Sequence, residues 1–189
     1  IYGESGNDTL SGGTGNDYIE GGTGNDTLSG NDGADTYFFN LGDGEDIINN
    51  YDRYNWSKDK IVFGEGVNPE DIEAIREGNN LILNNKTNAD KITISNAYAD
   101  SDGWYWVGTI NFADKTVWDR AYIQEVTRYF VGTEEDDVIA GRGWGYNYNQ
   151  SEVFNAGGGN DTVNAGDGND VIYGESGNDT LSGGTGNDY

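Results

Sequence analysis

Residues 12–29 read GGTGNDYIEGGTGNDTLS, which is two nine-residue blocks built on one frame. Each block has glycines in its first, second and fourth places, Asn-Asp in its fifth and sixth places, and a large aliphatic residue in its eighth. The frame returns in blocks that begin at residues 3, 30, 156, 165, 174 and 183. So short a repeat predicts a solenoid, because one unit cannot bury its apolar side chain without its neighbours.

Each place in the block has a physical role. Glycines permit a positive φ and close backbone approach, so the first six residues can form a tight turn with carbonyls pointing inward. The seventh to ninth residues then form a short strand whose middle side chain faces the interior. Two blocks make one coil, so we expect blocks that are two apart to stack on the same side.

The stacked turns are candidate calcium sites. Ca²⁺ takes roughly six to eight hard oxygen ligands, which carboxylates and carbonyls of neighbouring turns can supply together. We therefore predict four ligand pairs: Asp8 with Asp26, Asp17 with Asp35, Asp161 with Asp179, and Asp170 with Asp188. The candidate metal-binding residues are the sixth-place aspartates Asp8, Asp17, Asp26, Asp35, Asp46, Asp137, Asp161, Asp170, Asp179 and Asp188, with the turn residues Gly3, Gly12, Thr14, Gly15, Gly21, Gly24, Gly30, Gly33, Gly157, Gly159, Gly166, Gly168, Gly174, Gly177, Gly183 and Gly186.

Three blocks depart from the frame. Residues 41–49 (LGDGEDIIN) keep Asp46 in the ligand place but lie two residues out of phase. Residues 132–140 (GTEEDDVIA) keep Asp137, although Glu135 replaces the third glycine. Residues 141–155 form a lengthened block in which Glu152 stands where the aspartate should be, and Glu152 stays open as a ligand.

The frame is lost between residues 50 and 129. Here we expect short strands, a helical turn that begins at Asn68-Pro69, and a short helix from about Asp119 to Tyr129. The expected strands are residues 59–63, 80–83, 91–95 and 104–112. This predicts three domains: a β-roll at 1–49, a β-rich domain at 50–131 and a second β-roll at 132–189.

The nonapeptide closely resembles the RTX repeat of proteins exported by type I secretion. The middle stretch, with FGEGVNPEDI and INFADKTVWD, resembles the haemolysin-type calcium-binding related domain. The resemblance implies an all-β fold in which two parallel β-rolls, with calcium in their turns, flank a small β-rich domain with a short helix. It further implies a secreted or cell-surface calcium-binding module with a structural or adhesive role, which folds after export. The competing interpretation is a disordered or silk-like Gly/Asn/Ser-rich tract.

Charge and composition narrow the possible partners. The chain has 34 acidic and 10 basic residues, a formal net charge of −24, and neither His nor Cys. Such a charge opposes compaction until cations bind, and it makes nucleic acid and anionic membranes improbable partners. The missing His and Cys remove the usual zinc ligands and the commonest catalytic base, so we expect no enzymatic activity in this segment. No apolar run reaches the length of a membrane span, so we expect no membrane insertion.

Residues 1–18 and 172–189 are identical, with an offset of 172 − 1 = 171 residues. This identity predicts tandem units of a longer protein, or else an engineered overlap. If the two ends carry the same roll surface, head-to-tail self-association is a further expectation.

Exposed aromatic residues suggest an alternative function. Trp104, Tyr105 and Trp106, or Trp144, Tyr146 and Tyr148, could stack on a glycan or a host ligand. The competing interpretations are core packing for the first trio and a self-packed surface loop for the second.

Overall fold

The computed structural model describes residues 1–52, 58–99, 104–127, 129–141 and 151–189. These residues fold into two compact units, a N-terminal unit (residues 1–74 and 79–126) and a C-terminal unit (residues 75–78 and 127–189). The division into three domains at 49/50 and 131/132 stays a prediction. Among the described residues, no helix has the length and apolar character needed to cross a membrane.

The elements are almost all short strands. In chain order they are β1 (Thr9–Thr14), β2 (Tyr18–Glu20), β3 (Thr27–Asp32), β4 (Thr36–Phe39), β5 (Glu45–Ile48), β6 (Lys60–Phe63), a 3₁₀ turn (Pro69–Asp71), β7 (Ile72–Glu77), β8 (Asn80–Asn85), β9 (Lys91–Ile94), β10 (Thr109–Asn111), β11 (Val117–Asp119), α1 (Arg120–Val126), β12 (Tyr129–Val131), β13 (Val138–Ala140), β14 (Val153–Asn155), β15 (Thr162–Asn164), β16 (Val171–Tyr173) and β17 (Thr180–Ser182).

The N-terminal unit is a parallel β-roll that continues into strands outside the repeat. One of its sheets has the order β1-β3-β5-β9-β8, and the other has the order β11-β10-β6-β4-β2. Leu10 pairs with Leu28, and Leu28 pairs with Ile48, so the eighth-place residues stack in register. On the other sheet, β4 pairs in parallel with β6, which takes the place of the next block. The predicted β-roll, with blocks two apart stacked on one side, is confirmed.

The C-terminal unit is a smaller roll of the same design. β12 pairs with β14 and β14 with β16, while β13 pairs with β15 and β15 with β17, all in parallel. Phe154 lies opposite both Phe130 and Ile172, and Val163 lies opposite both Ile139 and Leu181. The lengthened block therefore still delivers Phe154 to the interior, as its place in the frame predicts.

Each unit buries its own apolar cluster. The N-terminal cluster includes the roll residues Ile19, Leu28 and Tyr37, together with Trp106 and Ile110 from the stretch beyond the repeat. The C-terminal cluster is limited to Phe130, Ile139, Phe154, Ala156, Val163 and Ala165, with Ile172 packed against it. Among the described residues, the N-terminal core thus extends much further beyond its repeat than the C-terminal core does.

The predicted strand at 104–112 is wrong over residues 104–108, because only Thr109–Asn111 pair as β10. Trp106 and Val107 are consecutive and both fully buried, which an alternating strand with one exposed face does not allow. The carbonyl groups of Trp104 and Trp106 instead accept hydrogen bonds from Asp52 N–H and Asn50 Nδ2.

The expected helix is shorter than predicted, since α1 ends at Val126 and β12 follows. Its buried residue is Ile123, whereas Tyr122 is 44% exposed and its ring lies 5.3 Å from that of Trp118. The helical turn predicted after Asn68 is confirmed as a 3₁₀ turn, and β7, which follows it directly, was not predicted.

Candidate metal sites in the stacked turns

The turns depend on glycine at two places where the backbone is left-handed. Gly22 in the second place and Gly24 in the fourth have φ values of 93° and 137°. A Cβ at Gly24 would lie 2.0 Å from the carbonyl oxygen of Gly6 in the turn stacked on it. Glycine is therefore needed there both for its φ and for the close approach of two backbones.

Glutamate occupies the second place in two blocks. Glu4 and Glu175 have φ values of 72° and 61°, a region that non-glycine residues adopt at a cost. The turn of Glu4 still makes the regular contact with the next turn, because Gly6 N–H donates to the Thr23 carbonyl at 2.9 Å.

The sixth-place aspartates of the N-terminal unit form two hydrogen-bonded rows. In one row, Asp8 N–H donates to Asp26 Oδ1 at 2.8 Å, and Asp26 N–H donates to Asp46 Oδ1 at 2.9 Å. In the other row, Asp17 N–H donates to Asp35 Oδ1 at 2.8 Å. Each carboxylate is thus fixed by the backbone of the preceding turn.

The C-terminal unit repeats this arrangement. Asp137 N–H donates to Asp161 Oδ1 at 2.9 Å, and Asp161 N–H donates to Asp179 Oδ1 at 3.0 Å. Glu152, which is 2% exposed, donates its N–H to Asp170 Oδ1 at 2.8 Å. Asp170 N–H in turn donates to Asp188 Oδ1 at 3.0 Å. The structure therefore brings together all four predicted aspartate pairs, and it seats Glu152 in the place of an aspartate.

The second oxygen of these carboxylates is buried without a hydrogen bond. This holds, among the described residues, for the Oδ2 atoms of Asp8, Asp17, Asp26, Asp35, Asp161 and Asp170. A buried carboxylate oxygen with no donor costs several kcal/mol unless a cation or a proton neutralises it. Hard carboxylate oxygens in matched pairs are the donors that Ca²⁺ prefers, so this donor set fits a calcium ion.

The first-place glycines are explained by the same carboxylates. A Cβ at Gly21 would lie 2.1 Å from Asp26 Oδ2, and a Cβ at Gly30 would lie 2.1 Å from Asp35 Oδ2. Each aspartate side chain folds back over the Cα of the glycine that opens its own turn. A side chain at Gly21 or Gly30 would therefore clash with this carboxylate, although their φ does not require glycine, whereas Ala156 and Ala165 occupy the same place in the C-terminal unit.

Electrostatics reinforces the need for a counter-charge. Burial is the main cause that raises the pKa of Asp46 to about 7, and the neighbouring charges of Asp26, Asp43 and Asp90 raise it further. Burial likewise raises the pKa of Asp35 and of Asp170 above the usual value. Lys91 forms a half-exposed ion pair with Glu45, at 2.5 Å.

Carboxylates alone do not complete a site. Within the described ranges, no three acidic side chains come together as a ready-made metal cluster. The remaining oxygen ligands would have to come from backbone carbonyls of the turns, so the predicted roles of the glycines and of Thr14 stay predictions. The carbonyl of Thr23 already accepts the Gly6 N–H, and a carbonyl oxygen has a second lone pair to offer.

Asp137 differs from the other predicted ligands. Its Oδ2 accepts hydrogen bonds from Thr133 N–H at 2.6 Å and from Thr133 Oγ1 at 2.9 Å. The turn lacks the left-handed residue in its fourth place, because Glu135 has no positive φ. The carboxylate of Asp137 is thus solvated by its own turn, and its role as a ligand stays a prediction.

Two further aspartates belong to the rows although the repeat frame does not include them. Asp59 Oδ1 accepts the Asp35 N–H at 2.8 Å, and Asp52 Oδ2 accepts the Gly33 N–H at 3.3 Å. The signal for Asp59 was present in the sequence, because Asp59-Lys60-Ile61 repeats the aspartate-x-aliphatic spacing of the blocks. No repeat marks Asp52.

Of the first aromatic trio, Trp106 is a core residue. It is fully buried, with the Tyr98 ring at 5.0 Å and the Arg120 guanidinium at 5.1 Å from its ring. Trp104 and Tyr105 are half-buried, and both lie beside the ring of Tyr51. The second trio, Trp144, Tyr146 and Tyr148, lies outside the described residues.

Known protein families match both the repeats and the stretch between them. The model of the RTX calcium-binding nonapeptide repeat matches residues 2–37 and 155–189, and the model of the haemolysin-type calcium binding protein related domain matches residues 80–122. The iron-regulated protein FrpA of Neisseria meningitidis serogroup C is 35% identical over 125 residues. That match covers 66% of this chain and 10% of the relative, so the chain spans about a tenth of the relative's length.

Among solved structures, the extracellular lipase LipA from Serratia marcescens aligns with 90% of this chain and 28% of its own, at 18% identity and a TM-score of 0.45. The repeated turns, their paired aspartates and both family models agree that the chain carries RTX calcium-binding nonapeptide repeats on either side of a haemolysin-type calcium binding protein related domain.

Proposed function

We propose that this chain is a calcium-dependent folding module of a large secreted or surface protein, with a structural or adhesive role. The observation that carries the proposal is the set of buried Oδ2 atoms for which the described residues provide no hydrogen-bond donor. Ca²⁺ bound between the turns supplies two positive charges to each carboxylate pair. Without that charge, the rows of carboxylates repel one another across adjacent turns.

The proposal explains how such a chain could be exported. In a cytosol poor in free calcium, a net charge of −24 and 31 glycines both favour an extended chain, which can pass through a narrow channel. Extracellular calcium modules bind in the range of about 10⁻⁴ to 10⁻³ M, so the chain folds after it leaves the cell. Binding and folding are then one process.

The test is far-UV circular dichroism of the 189-residue chain during a calcium titration, with magnesium as a matched divalent control. We expect strand signal to rise cooperatively with calcium and to fall on addition of EDTA. A chain that keeps its full strand signal in EDTA contradicts the proposal. Calorimetry on the same samples gives the number of ions bound.

A second candidate function is glycan or host-ligand binding, favoured by the half-buried rings of Trp104 and Tyr105 beside Tyr51, which is 47% exposed. Aromatic faces of this kind stack well on sugar rings. Glycan-array binding that is lost in Trp104→Ala, while the calcium content is unchanged, supports this function. We propose no catalytic role, because the sequence has no His and its carboxylates serve the turns.

Self-association of the module is a further proposal. Its support is the identity of residues 1–18 with residues 172–189, which gives both rolls one and the same coil. Sedimentation velocity at high protein concentration in calcium tests it, and a single monomeric species would contradict it.

A further inference from the structure

The outer face of strands β12, β14 and β16 carries apolar side chains where β1 and β3 carry small polar ones. The residues on either side of a strand's inward residue point outward. On β1 and β3 these outward residues are Thr9, Ser11, Thr27 and Ser29. On the three strands of the C-terminal unit they are Tyr129, Val131, Val153, Asn155, Val171 and Tyr173. We call these six residues the apolar face.

The apolar face is continuous and open to solvent. Its residues form two cross-strand rows, Tyr129–Val153–Val171 and Val131–Asn155–Tyr173. Tyr129, Val131 and Tyr173 are 60%, 39% and 45% exposed. Adjoining apolar side chains that remain exposed in the folded chain are typical of a surface that another molecule covers.

An acidic depression borders the apolar face. Its volume is about 780 Å³, within the range of about 300–1,000 Å³ that ligand pockets have. The depression shares Val131 and Asn155 with the apolar face, so one ligand can touch both. The side chains that give it its character are those of Glu77, Glu134 and Glu175, and we call this hollow the acidic depression.

The fold places these three carboxylates around one hollow. Glu77 ends β7 and lies opposite Val131 of β12. Glu134 and Glu175 belong to stacked turns of the roll, and Glu134 Oε2 lies 2.7 Å from the point that a Cβ at Gly158 would occupy. The described residues contain no group of three acidic side chains that forms a metal cluster. The carboxylates are therefore spread around the acidic depression, as suits a ligand larger than a metal ion.

Charge selects the class of occupant. A second copy of this chain also carries a net charge of −24, so two copies repel each other. An anionic lipid surface is repelled in the same way. A Lys or Arg side chain fits both parts of the surface, because its aliphatic stem can lie on Val131 while its charged end meets the carboxylates.

We propose that the apolar face and the acidic depression together bind a basic segment of a partner protein. Apolar side chains of that segment cover Tyr129 and Tyr173, and one of its Lys or Arg side chains enters the acidic depression. The inference rests on the proposed function, since it names a class of partner for the adhesive role. It concerns the C-terminal unit, whereas the glycan-binding candidate concerns aromatic rings of the N-terminal unit.

The test uses an array of short synthetic peptides that combine Arg or Lys with Val, Leu or Tyr at varied spacing. Matched peptides with Glu in place of every basic residue are the charge control. The 189-residue chain is applied in saturating calcium and about 0.15 M salt, which screens charges more than about 8 Å apart. Fluorescence anisotropy then gives the Kd of the best peptide, and circular dichroism checks the fold of each sample.

Two substitutions on the surface have matched controls away from it. Glu134→Gln removes a charge from the acidic depression, and Glu135→Gln removes the same charge from the exposed neighbour that does not line it. Tyr173→Ser removes an apolar side chain from the apolar face. Val138→Ser is its control, because Val138 is 85% exposed on β13, which pairs in a different sheet.

We expect basic peptides to bind and their acidic counterparts to be rejected. Tyr173→Ser should weaken binding about tenfold and Glu134→Gln by a smaller factor, while both controls leave the Kd unchanged. If no basic peptide binds the folded chain, the inference is wrong. It is equally wrong if the controls lose as much affinity as the surface variants, because net charge alone then accounts for binding.

Vesicles of zwitterionic phosphatidylcholine are tested beside the array. If vesicles bind in a manner that depends on Tyr173 while the basic peptides do not bind, the apolar face is a lipid surface and the inference is overturned. Failure of the proposed function is a separate outcome. In that case circular dichroism shows no gain of strand with calcium in the unsubstituted chain, whatever the peptides do.

Discussion

The two units carry similar turns on very different cores. In the N-terminal unit, roll residues such as Ile19 and Tyr37 are packed in one cluster with Trp106 and Ile110, which lie outside the repeat. Among the described residues of the C-terminal unit, the buried cluster amounts to four large side chains and two alanines. Apolar burial contributes roughly 25 cal/mol per Å², so the N-terminal unit has a source of stability that the C-terminal unit largely lacks. The same turn chemistry must therefore contribute a larger share of stability in the C-terminal unit.

Two leucines show this difference in burial between the two units. Leu10 and Leu181 occupy the same place in identical sequence, yet Leu10 is half-buried against the large cluster and Leu181 is 44% exposed. What a repeat buries thus depends on the surface against which it stacks.

Removal of calcium should give the largest effect and should separate the two units. Both units hold buried carboxylates, but we expect EDTA to unfold the C-terminal unit first, because the core formed by its described residues is small. Hydrogen exchange of the backbone amides measures this order. As calcium is removed, we expect the Val171 amide to lose its protection at a higher free-calcium concentration than the Lys60 amide does. Loss of protection in both units at one calcium concentration would show that core size does not matter.

Removal of one core aromatic side chain from each unit gives the next largest effect. Phe154 is fully buried, with its ring 4.5 Å from that of Phe130, and Phe39 is 3% exposed in the larger cluster. Each change to Ala should cost about 3–5 kcal/mol. We expect Phe154→Ala to unfold the C-terminal unit even in calcium, while Phe39→Ala leaves the N-terminal unit folded. Urea unfolding in saturating calcium measures the stability of both variants. Val138→Ala is the control, because the Val138 side chain is 85% exposed.

Substitution within one aspartate row should give a smaller effect. Asp161→Asn removes a carboxylate whose Oδ2 lacks a donor among the described residues, whereas Asp137→Asn removes one that Thr133 already solvates. We expect calcium affinity to fall about tenfold or more in Asp161→Asn and much less in Asp137→Asn. Isothermal calorimetry measures both variants, and equal losses would mean that the Thr133 contacts do not replace a cation.

A change of pH should give the smallest effect, and it probes the N-terminal unit. Burial, more than any neighbouring charge, raises the pKa of Asp46 and of Asp59 to about 7, far above the value in an unfolded chain. Between about pH 4 and pH 7, the calcium-free folded state therefore binds more protons than the unfolded state. The two carboxyl groups stabilise the folded state fully below about pH 4, and this stabilisation is lost as the pH rises through 7.

We therefore expect calcium-free N-terminal strands to resist urea better at pH 5 than at pH 8, as measured by hydrogen exchange at Lys60. In Asp46→Asn the difference between the two pH values should shrink. A pH dependence that is equally large in this variant would assign the effect to other groups.

Much of the architecture could be predicted from the repeat. The spacing of nine residues indicated the roll, its stacking interval and the aspartate pairs, because an identical side chain in an identical place has an identical neighbour two blocks away. Beyond the repeat this logic fails, since β7 and the contacts of Asp52 depend on tertiary packing. Trp104–Phe112 resembles a strand in composition, but packing around Trp106 overrides that preference.

The stacked aspartates have a consequence for salt. Adjacent strands lie about 4.8 Å apart, so each row is a line of charges at that spacing. Two unit charges at about 4.8 Å repel by about 0.9 kcal/mol even in water, which exceeds the thermal energy. The Debye length at 0.1 M salt is about 10 Å, which is longer than this spacing. Each row is therefore a short polyelectrolyte that 0.1 M sodium chloride screens only weakly, so a cation seated between the rungs would neutralise it where dissolved salt does not.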